Sequence, residues 1–251
     1  MLKGKIAWVT GGGSGIGRAG AEELAAAGAT VIVSGRRAAE LEEVKHAIAA
    51  KDGVAETAPL DVTDKASVAG VGADILKRHS RVDILVNSAG MNVPHRFWKN
   101  LTPDSFESVI SANLQGTLNT IAAVLPSMRE QRDGLVINIS SWAGRFDPYL
   151  TGPAYNASKH GVIGLTKTAA LEFAQRSIRV NCVCPGVIQT PMVARLMDGG
   201  GMNENDMRAG EPVGRFGQPQ EIGEGVVWLL SEASSFVTGH SMVIDGGWIA
   251  R

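Results

Sequence analysis

Tyr155 and Lys159 stand four residues apart in Tyr-Asn-Ala-Ser-Lys. On a helix that spacing puts the phenol and the ammonium on one face. A phenol titrates at about 10 in water, so it is a poor proton donor or acceptor near neutrality. A fixed positive charge beside it stabilises the phenolate and lowers that value. A tyrosine tuned in this way can protonate a developing alkoxide or deprotonate an alcohol. The same spacing also fits a half-buried ring beside a solvated lysine, so the surrounding chain must decide between the two.

The elements that would position this pair follow a regular alternation. Short Val- and Ile-rich runs at Ile6–Val9, Thr30–Ser34, Ala55–Pro59, Ile84–Asn87, Leu135–Ser140, Arg179–Cys184 and Ser241–Ile244 predict strands. Helices are predicted between them at Gly17–Ala27, Ala38–Lys51, Lys65–His79, Pro103–Glu130, Tyr155–Arg176 and Gln220–Leu230. Most of the strand runs are apolar almost throughout. That pattern marks strands buried on both faces, hence a mainly parallel sheet between helical layers. Right-handed crossovers then give a Rossmann-like, doubly wound α/β fold with seven strands. No linker or repeat interrupts the 251 residues, which predicts one dinucleotide-binding domain over 1–251. A Gly- and Met-rich stretch at about 191–214, with the turn-prone Asp198-Gly199-Gly200-Gly201, predicts a substrate flap.

The first strand runs into Thr10-Gly11-Gly12-Gly13-Ser14-Gly15-Ile16-Gly17 and then a helix. Glycines allow a tight turn and let backbone N–H groups approach a pyrophosphate, where the helix N-terminus adds positive charge. The second strand ends in Val31-Ile32-Val33-Ser34-Gly35-Arg36-Arg37. An acid placed here would bind the ribose 2′-hydroxyl of NAD, and none is present. Arg36 and, second, Arg37 instead suit a 2′-phosphate through charge and a rigid fork of donors. The expected cofactor is NADP, with NAD as the alternative.

Taken in order, these motifs resemble the short-chain dehydrogenase/reductase family in its compact branch, from about Leu2 to Trp248. The resemblance implies that Gly11, Ser14, Gly15, Ile16 and Gly17 form the nucleotide turn. It places Asp61 beside the adenine, with Val62 packing nearby. Asn87-Ser88-Ala89-Gly90 is similar to the family's Asn-Asn-Ala-Gly, so Asn87, Ala89 and Gly90 are assigned to the cofactor. Pro185, Gly186, Ile188 and Thr190 match the segment that holds the nicotinamide carboxamide. Asn113, Ser141, Tyr155 and Lys159 match the catalytic tetrad. Ser140 competes with Ser141, but the Ser-x-x-Gly alignment favours Ser141. The Ser141-to-Tyr155 separation of 14 is one more than is usual in the family. The implied chemistry is hydride transfer between nicotinamide and a ketone or secondary alcohol. Tyr155 would donate the proton and Ser141 would orient the oxygen. Lys159 would bind ribose hydroxyls, lower the Tyr155 pKa and, like Tyr155, touch the cofactor. Asn113 would position a water linking Lys159 to solvent.

Substrate contacts are expected from three segments, 91–98, 142–151 and 191–207, through Val93, Trp142, Tyr149, Met192 and Leu196. Their apolar, aromatic character predicts a hydrophobic or cyclic small molecule. The first alternative is a 3-oxoacyl-[acyl-carrier-protein] reductase, docking its carrier on Arg129, Arg132 and Arg176. The second is a non-catalytic dinucleotide-binding sensor, which has no reason to keep both Tyr155 and Lys159.

Net charge is −1 with 20% charged residues spread along the chain, so no basic block points to nucleic acid. No apolar run is long enough to span a bilayer, and no signal-peptide pattern leads the chain. Cys182 and Cys184, two positions apart in a strand, read as packed free thiols. A cytoplasmic protein without a metal site is the expectation. The family resemblance implies a homotetramer, in which apolar Trp248 and Ile249 would bury against a neighbouring subunit.

Overall fold

Every apolar run predicted as a strand enters one sheet. In the computed structural model, which describes residues 1–146, 149–198 and 210–250, the strands are β1 (Ile6–Thr10), β2 (Thr30–Gly35), β3 (Val54–Pro59), β4 (Ile84–Asn87), β5 (Gly134–Ile139), β6 (Ile178–Pro185) and β7 (Ser241–Ile244). Their order is β3-β2-β1-β4-β5-β6-β7, and every neighbouring pair is parallel. The physical reason is visible in β1. Ala7 and Val9 join the core on one face, while Ile6 and Trp8 join the core on the other. A strand apolar on both faces has to lie inside a three-layer fold.

The helices are α1 (Gly15–Ala26), α2 (Ala38–Ala49), α3 (Lys65–His79), α4 (Pro103–Ile110), α5 (Gly116–Gln131), α6 (Pro153–Phe173), α7 (Pro191–Asp198) and α8 (Pro219–Leu230). Leu24, Leu41, Ile222 and Leu229 from α1, α2 and α8 cover one face of the sheet. Val68, Ile75, Val124 and Ala170 from α3, α5 and α6 cover the other. The chain leaves β1 toward β2 on one side and returns to β4 on the other. The strand order therefore reverses at β1–β4 and opens a crevice beyond the carboxyl ends of the strands.

Two elements differ from the sequence reading. The helix expected over Pro103–Glu130 is interrupted at Ser111–Gln115 by a wide π turn centred on Asn113. Gly116 closes that break, and Asn113 at its centre is held by the hydrogen bonds described below. The flap begins with an ordered helix, α7, which has Pro191 at its first position and an N–H of Val193 donating to Thr190 Oγ1 at 3.4 Å. Of the predicted Asp198–Gly201 turn, residues 199–201 lie outside the described residues.

At the opposite end of the sheet, Asp83 is 1% exposed and accepts the Ile6 N–H at 2.8 Å. Lys5 and Arg81 also donate to it, and both stay hydrated, with side chains 35% and 42% exposed. Asp83→Ala should therefore leave one buried N–H unsatisfied but no buried charge. The expected loss is about 2 kcal/mol in chemical denaturation, and an unchanged midpoint would show that the network is dispensable.

Candidate active site

A cleft of about 750 Å³ opens at the carboxyl ends of the strands, lined from the Gly11–Gly17 turn to α7. Its phosphate end is made by absences. Gly11 has φ +67°, and a Cβ there would meet the Ala89 nitrogen at 2.7 Å. A Cβ on Gly17 would press on the Gly11 carbonyl group, 2.7 Å from its carbon. Side chains are thus excluded where backbone must come close. The first turn of α1 carries no acid, so its N-terminal positive charge is not neutralised. Such a cradle fits the pyrophosphate of a dinucleotide.

The two arginines after β2 are not equivalent. Arg37 Nη1 pairs with Glu40 Oε1 at 2.6 Å, and its Nη2 donates to Ser14 Oγ at 3.3 Å. The other Glu40 oxygen, Oε2, is buried without a hydrogen-bond partner. Arg36 also lines the cleft, and its side chain makes no ion pair or hydrogen bond among the described residues. Asp61 holds the next corner. The Thr63 N–H, at 2.9 Å, keeps its carboxyl below the ordinary range, helped by the Thr63 hydroxyl and by the charge of Arg36. Val62 is fixed by Asn119, whose Nδ2 donates to the Val62 carbonyl at 2.9 Å.

Of the residues that the sequence assigned to the cofactor, Gly11, Ser14, Gly15, Ile16, Gly17, Arg36, Arg37, Asp61, Val62, Ala89, Gly90, Pro185, Gly186, Ile188 and Thr190 line this cleft, together with Tyr155 and Lys159. Asn87 does not. Its amide is buried behind the wall, donating to Asn138 Oδ1 at 2.9 Å and accepting from the Thr120 hydroxyl at 2.6 Å. Asn138 in turn donates to Thr166 Oγ1 at 2.9 Å. This saturated chain ties β4 and β5 to α5 and α6.

At the reacting end, the Ser141 hydroxyl stands beside the Tyr155 phenol and acts to lower its pKa. Ser141 Oγ also accepts the Ala143 N–H at 3.1 Å. Ser140 turns away, donating to the Lys159 carbonyl at 2.9 Å. Gly144 permits this packing, because a Cβ there would lie 2.7 Å from Ser140 Oγ. The Ser-x-x-Gly spacing therefore has a steric cause.

Lys159 is 5% exposed, and its ammonium donates to the Ile139 carbonyl at 2.8 Å. It lies 5.5 Å from the centre of the Tyr155 ring. Burial pulls the Lys159 pKa down to about 8, against the opposing influence of Cys184 and Cys182. Burial also pushes the Tyr155 phenol up to about 12, opposed by the Ser141 hydroxyl. The sequence expectation of a lowered phenol is thus reversed in the protein alone. Desolvation outweighs a lysine whose ammonium is bonded to a backbone carbonyl.

Asn113 is 1% exposed and spans three segments. Its Oδ1 accepts the Met91 N–H at 2.7 Å, and its Nδ2 donates to the Met91 carbonyl at 3.0 Å and to Ser158 Oγ at 3.0 Å. The amide thus joins the loop after β4 to α6, one residue before Lys159. These bonds hold the Asn113 side chain beside the residues assigned to the tetrad, with one acceptor position of Oδ1 left over. The π turn places this amide where both partners are within reach.

Of the substrate candidates, only Met192 lines the cleft, joined there by Val193 and Arg195 from α7. Trp142 is 5% exposed and lies behind the wall, while Tyr149 is 79% exposed. Val93 and Leu196 are half-buried. At the chain end Trp248 meets Trp142 at 4.9 Å between ring centres, and both Trp248 and Ile249 are half-buried. Sequence reasoning did not assign Glu40 or Trp248 to this region; their neighbours in space mark them. Cys182 and Cys184 are free, buried thiols 4.0 Å apart beneath Lys159. Among the described residues no group of three His, Cys, Asp or Glu is arranged to hold a metal, and no helix is long and apolar enough to cross a membrane.

Comparison with known proteins agrees with this geometry. A family profile described as Enoyl-(Acyl carrier protein) reductase matches residues 11–249. The chain is 37% identical over 249 residues to the 3-oxoacyl-[acyl-carrier-protein] reductase FabG of Thermotoga maritima, covering 99% of each. It is also 37% identical over 251 residues to the levodione reductase of Leifsonia aquatica, covering 97% of this chain and 93% of that one. A crystal structure of levodione reductase superimposes with a TM-score of 0.95 at 35% identity, covering 100% of this chain and 99% of the other. A cradle for a dinucleotide, a serine–tyrosine–lysine cluster at its far end and full-length similarity to these reductases lead to one conclusion: the chain belongs to the short-chain dehydrogenase/reductase family, oxidoreductases that bind NAD(P) and act on carbonyl and CH–OH groups.

Proposed function

We propose that the protein uses NADP to interconvert a hydrophobic or cyclic ketone and its secondary alcohol. The observation that carries this reading is the convergence of Ser141, Tyr155 and the buried ammonium of Lys159, 5.5 Å from the phenol ring, on the cleft that also holds Arg36. A bound nicotinamide dinucleotide supplies or accepts the hydride. In reduction, Tyr155 gives its proton to the carbonyl oxygen while Ser141 donates a hydrogen bond to it. Lys159 holds ribose hydroxyls and offers a buried ammonium near the phenol. Asn113 keeps Met91 and α6 in register with these groups.

The cofactor choice rests on Arg36. Arg37 is committed to Glu40 and Ser14, so a 2′-phosphate would meet Arg36 as its main charge partner. Arg36→Ala should weaken NADPH binding about tenfold and leave NADH binding within twofold, read by quenching of protein fluorescence. Equal weakening of both nucleotides would remove the 2′-phosphate role.

The substrate class rests on the apolar character of α7 and of the Trp142 surroundings. Levodione reductase, among the similar proteins, is named for a diketone. The second reading, a carrier-bound 3-oxoacyl substrate, is favoured by the similarity to the Thermotoga enzyme. Arg132 donates to the Gln175 carbonyl at 3.2 Å and Arg129 stacks over Phe173. These arginines gather where α5 and α6 end, opposite the cleft in a single chain. Docking there would have to serve the site of a neighbouring copy, so a free small molecule is preferred.

Assembly as a homotetramer is part of the same reading. Phe106, Leu118 and Leu171 are exposed along α4–α6, and Trp228 and Phe236 near α8. Two separate apolar surfaces suit two different twofold interfaces. The unjoined thiols of Cys182 and Cys184 suit a reducing, cytoplasmic setting.

A further inference from the structure

A small apolar cluster beyond the cleft joins five parts of the chain. Trp142 follows the catalytic serine, Val187 follows β6, Phe216 precedes α8, Val193 and Met197 belong to α7, and Trp248 and Ile249 belong to the last turn. Trp142 meets Trp248 edge to face, at 4.9 Å and 60°. On its other side Trp142 stacks with Phe146 at 6.2 Å and 13°. Both are favoured aromatic geometries.

The chain end that carries Trp248 is held by its own acid. Asp245 Oδ1 accepts the Gly247 N–H and Oδ2 accepts the Ile249 N–H, each at 2.9 Å. Gly246 and Gly247 have φ of +63° and +89°, which lets the turn reverse sharply. Asp245 is itself fixed against the cofactor segment. A Cβ on Gly186 would lie 2.7 Å from Asp245 Cα, and the Gly186 N–H donates to the Ile244 carbonyl at 2.9 Å. The turn is therefore anchored to the Pro185–Gly186 wall and presents one large ring to the catalytic turn, where it packs on the same buried Trp142, Val187 and Phe216 that Val193 and Met197 of α7 pack on.

We propose that Trp248 is a specificity-determining positioning residue, which docks α7 against the catalytic turn and so sets the apolar wall that a cyclic or aromatic ketone meets. The inference deepens the carbonyl-reduction reading and rests on it for its kinetic part. An eight-residue helix such as α7 has little stability of its own, so its place is decided by what it packs on. Val193 both packs in the Trp248 cluster and lines the cleft, beside Met192. Removing the Trp248 ring would free α7 without touching Ser141, Tyr155 or Lys159. Ring-bearing ketones, which need the wall, should suffer more than a short linear ketone.

Two measurements on the full chain test this, using Trp248→Ala, Trp248→Leu and Trp248→Phe. Hydrogen exchange without ligand should show amides of residues 191–198 exchanging at least about tenfold faster in Trp248→Ala, with α1 unchanged. In kinetics, the KM for a cyclic diketone should rise about tenfold, with kcat within about threefold and the NADPH Kd within about twofold. Trp248→Phe should restore most of both effects. If Trp248→Ala fails to fold, Trp248→Leu serves, and its KM should still rise. Unchanged exchange in α7 overturns the proposal whatever the enzyme turns over. Parallel loss of kcat and dinucleotide affinity overturns it too, by making the ring a general support. A wild-type protein that reduces no ketone sinks the functional reading instead, and the exchange result still decides the docking role.

Discussion

Tyr155→Phe should slow carbonyl reduction about a thousandfold while the NADPH Kd stays within about twofold. The size follows from losing a positioned general acid. The separation of effects follows from the structure: the phenol meets Ser141, while the phosphate cradle and Arg36 lie at the other end of the cleft. Loss of dinucleotide binding together with turnover would instead make Tyr155 a packing residue. The wild-type pH dependence has a defined sign. With the phenol at about 12 in the protein alone, Tyr155 is protonated through the neutral range and ready to act as an acid. Reduction should therefore hold its rate until the phenol titrates and then fall. Alcohol oxidation needs the phenolate and should climb toward about tenfold per pH unit below that point. Identical pH profiles in both directions would argue against Tyr155 as the proton carrier.

Gly17→Ala should abolish useful dinucleotide binding, with affinity reduced about a hundredfold or more. Alanine is ordinarily the better helix former, so propensity alone predicts a gain. Here the added methyl has to push on the Gly11 carbonyl group, inside the turn that approaches the pyrophosphate. Overpacking against backbone costs about 3 kcal/mol, which corresponds to about a hundredfold in affinity. Gly20→Ala is the matched control on the same helix. No atom lies within 4 Å of the Cβ it would add. That variant should bind normally and gain about 0.5–1 kcal/mol. Titration of both variants by NADPH fluorescence separates the two cases, and equal affinities would remove the steric account of the turn.

How far the sequence discloses this structure depends on where the information lies. The strands were legible because most of the runs are apolar almost throughout, and such runs build a buried parallel sheet with the more polar β3 at its edge. The nucleotide turn was legible because glycines stand where backbone must approach backbone. The π turn at Ser111–Gln115 was not, since it centres on a side chain, Asn113, bonded across the fold to Met91 and Ser158. Asn87 carried the right motif, yet its amide is spent on Asn138 and Thr120 rather than on the cleft. The place of Trp248 was illegible for the same reason: 106 positions separate it from Trp142, and the β6–β7 pairing and the Asp245 turn bring them together. The electrostatics of the pair at Tyr155 and Lys159 were half legible. Spacing put both in one pocket, but burial, which local sequence does not report, decided the direction of each shift.

The most direct test of the central claim follows nicotinamide absorbance with NADPH and, separately, with NADH, across a cyclic diketone, an aryl ketone, a keto sugar and a 3-oxoacyl thioester. The account predicts oxidation of NADPH in preference to NADH, fastest with the cyclic or aryl ketone. Turnover confined to the 3-oxoacyl thioester, or a preference for NADH, would contradict it.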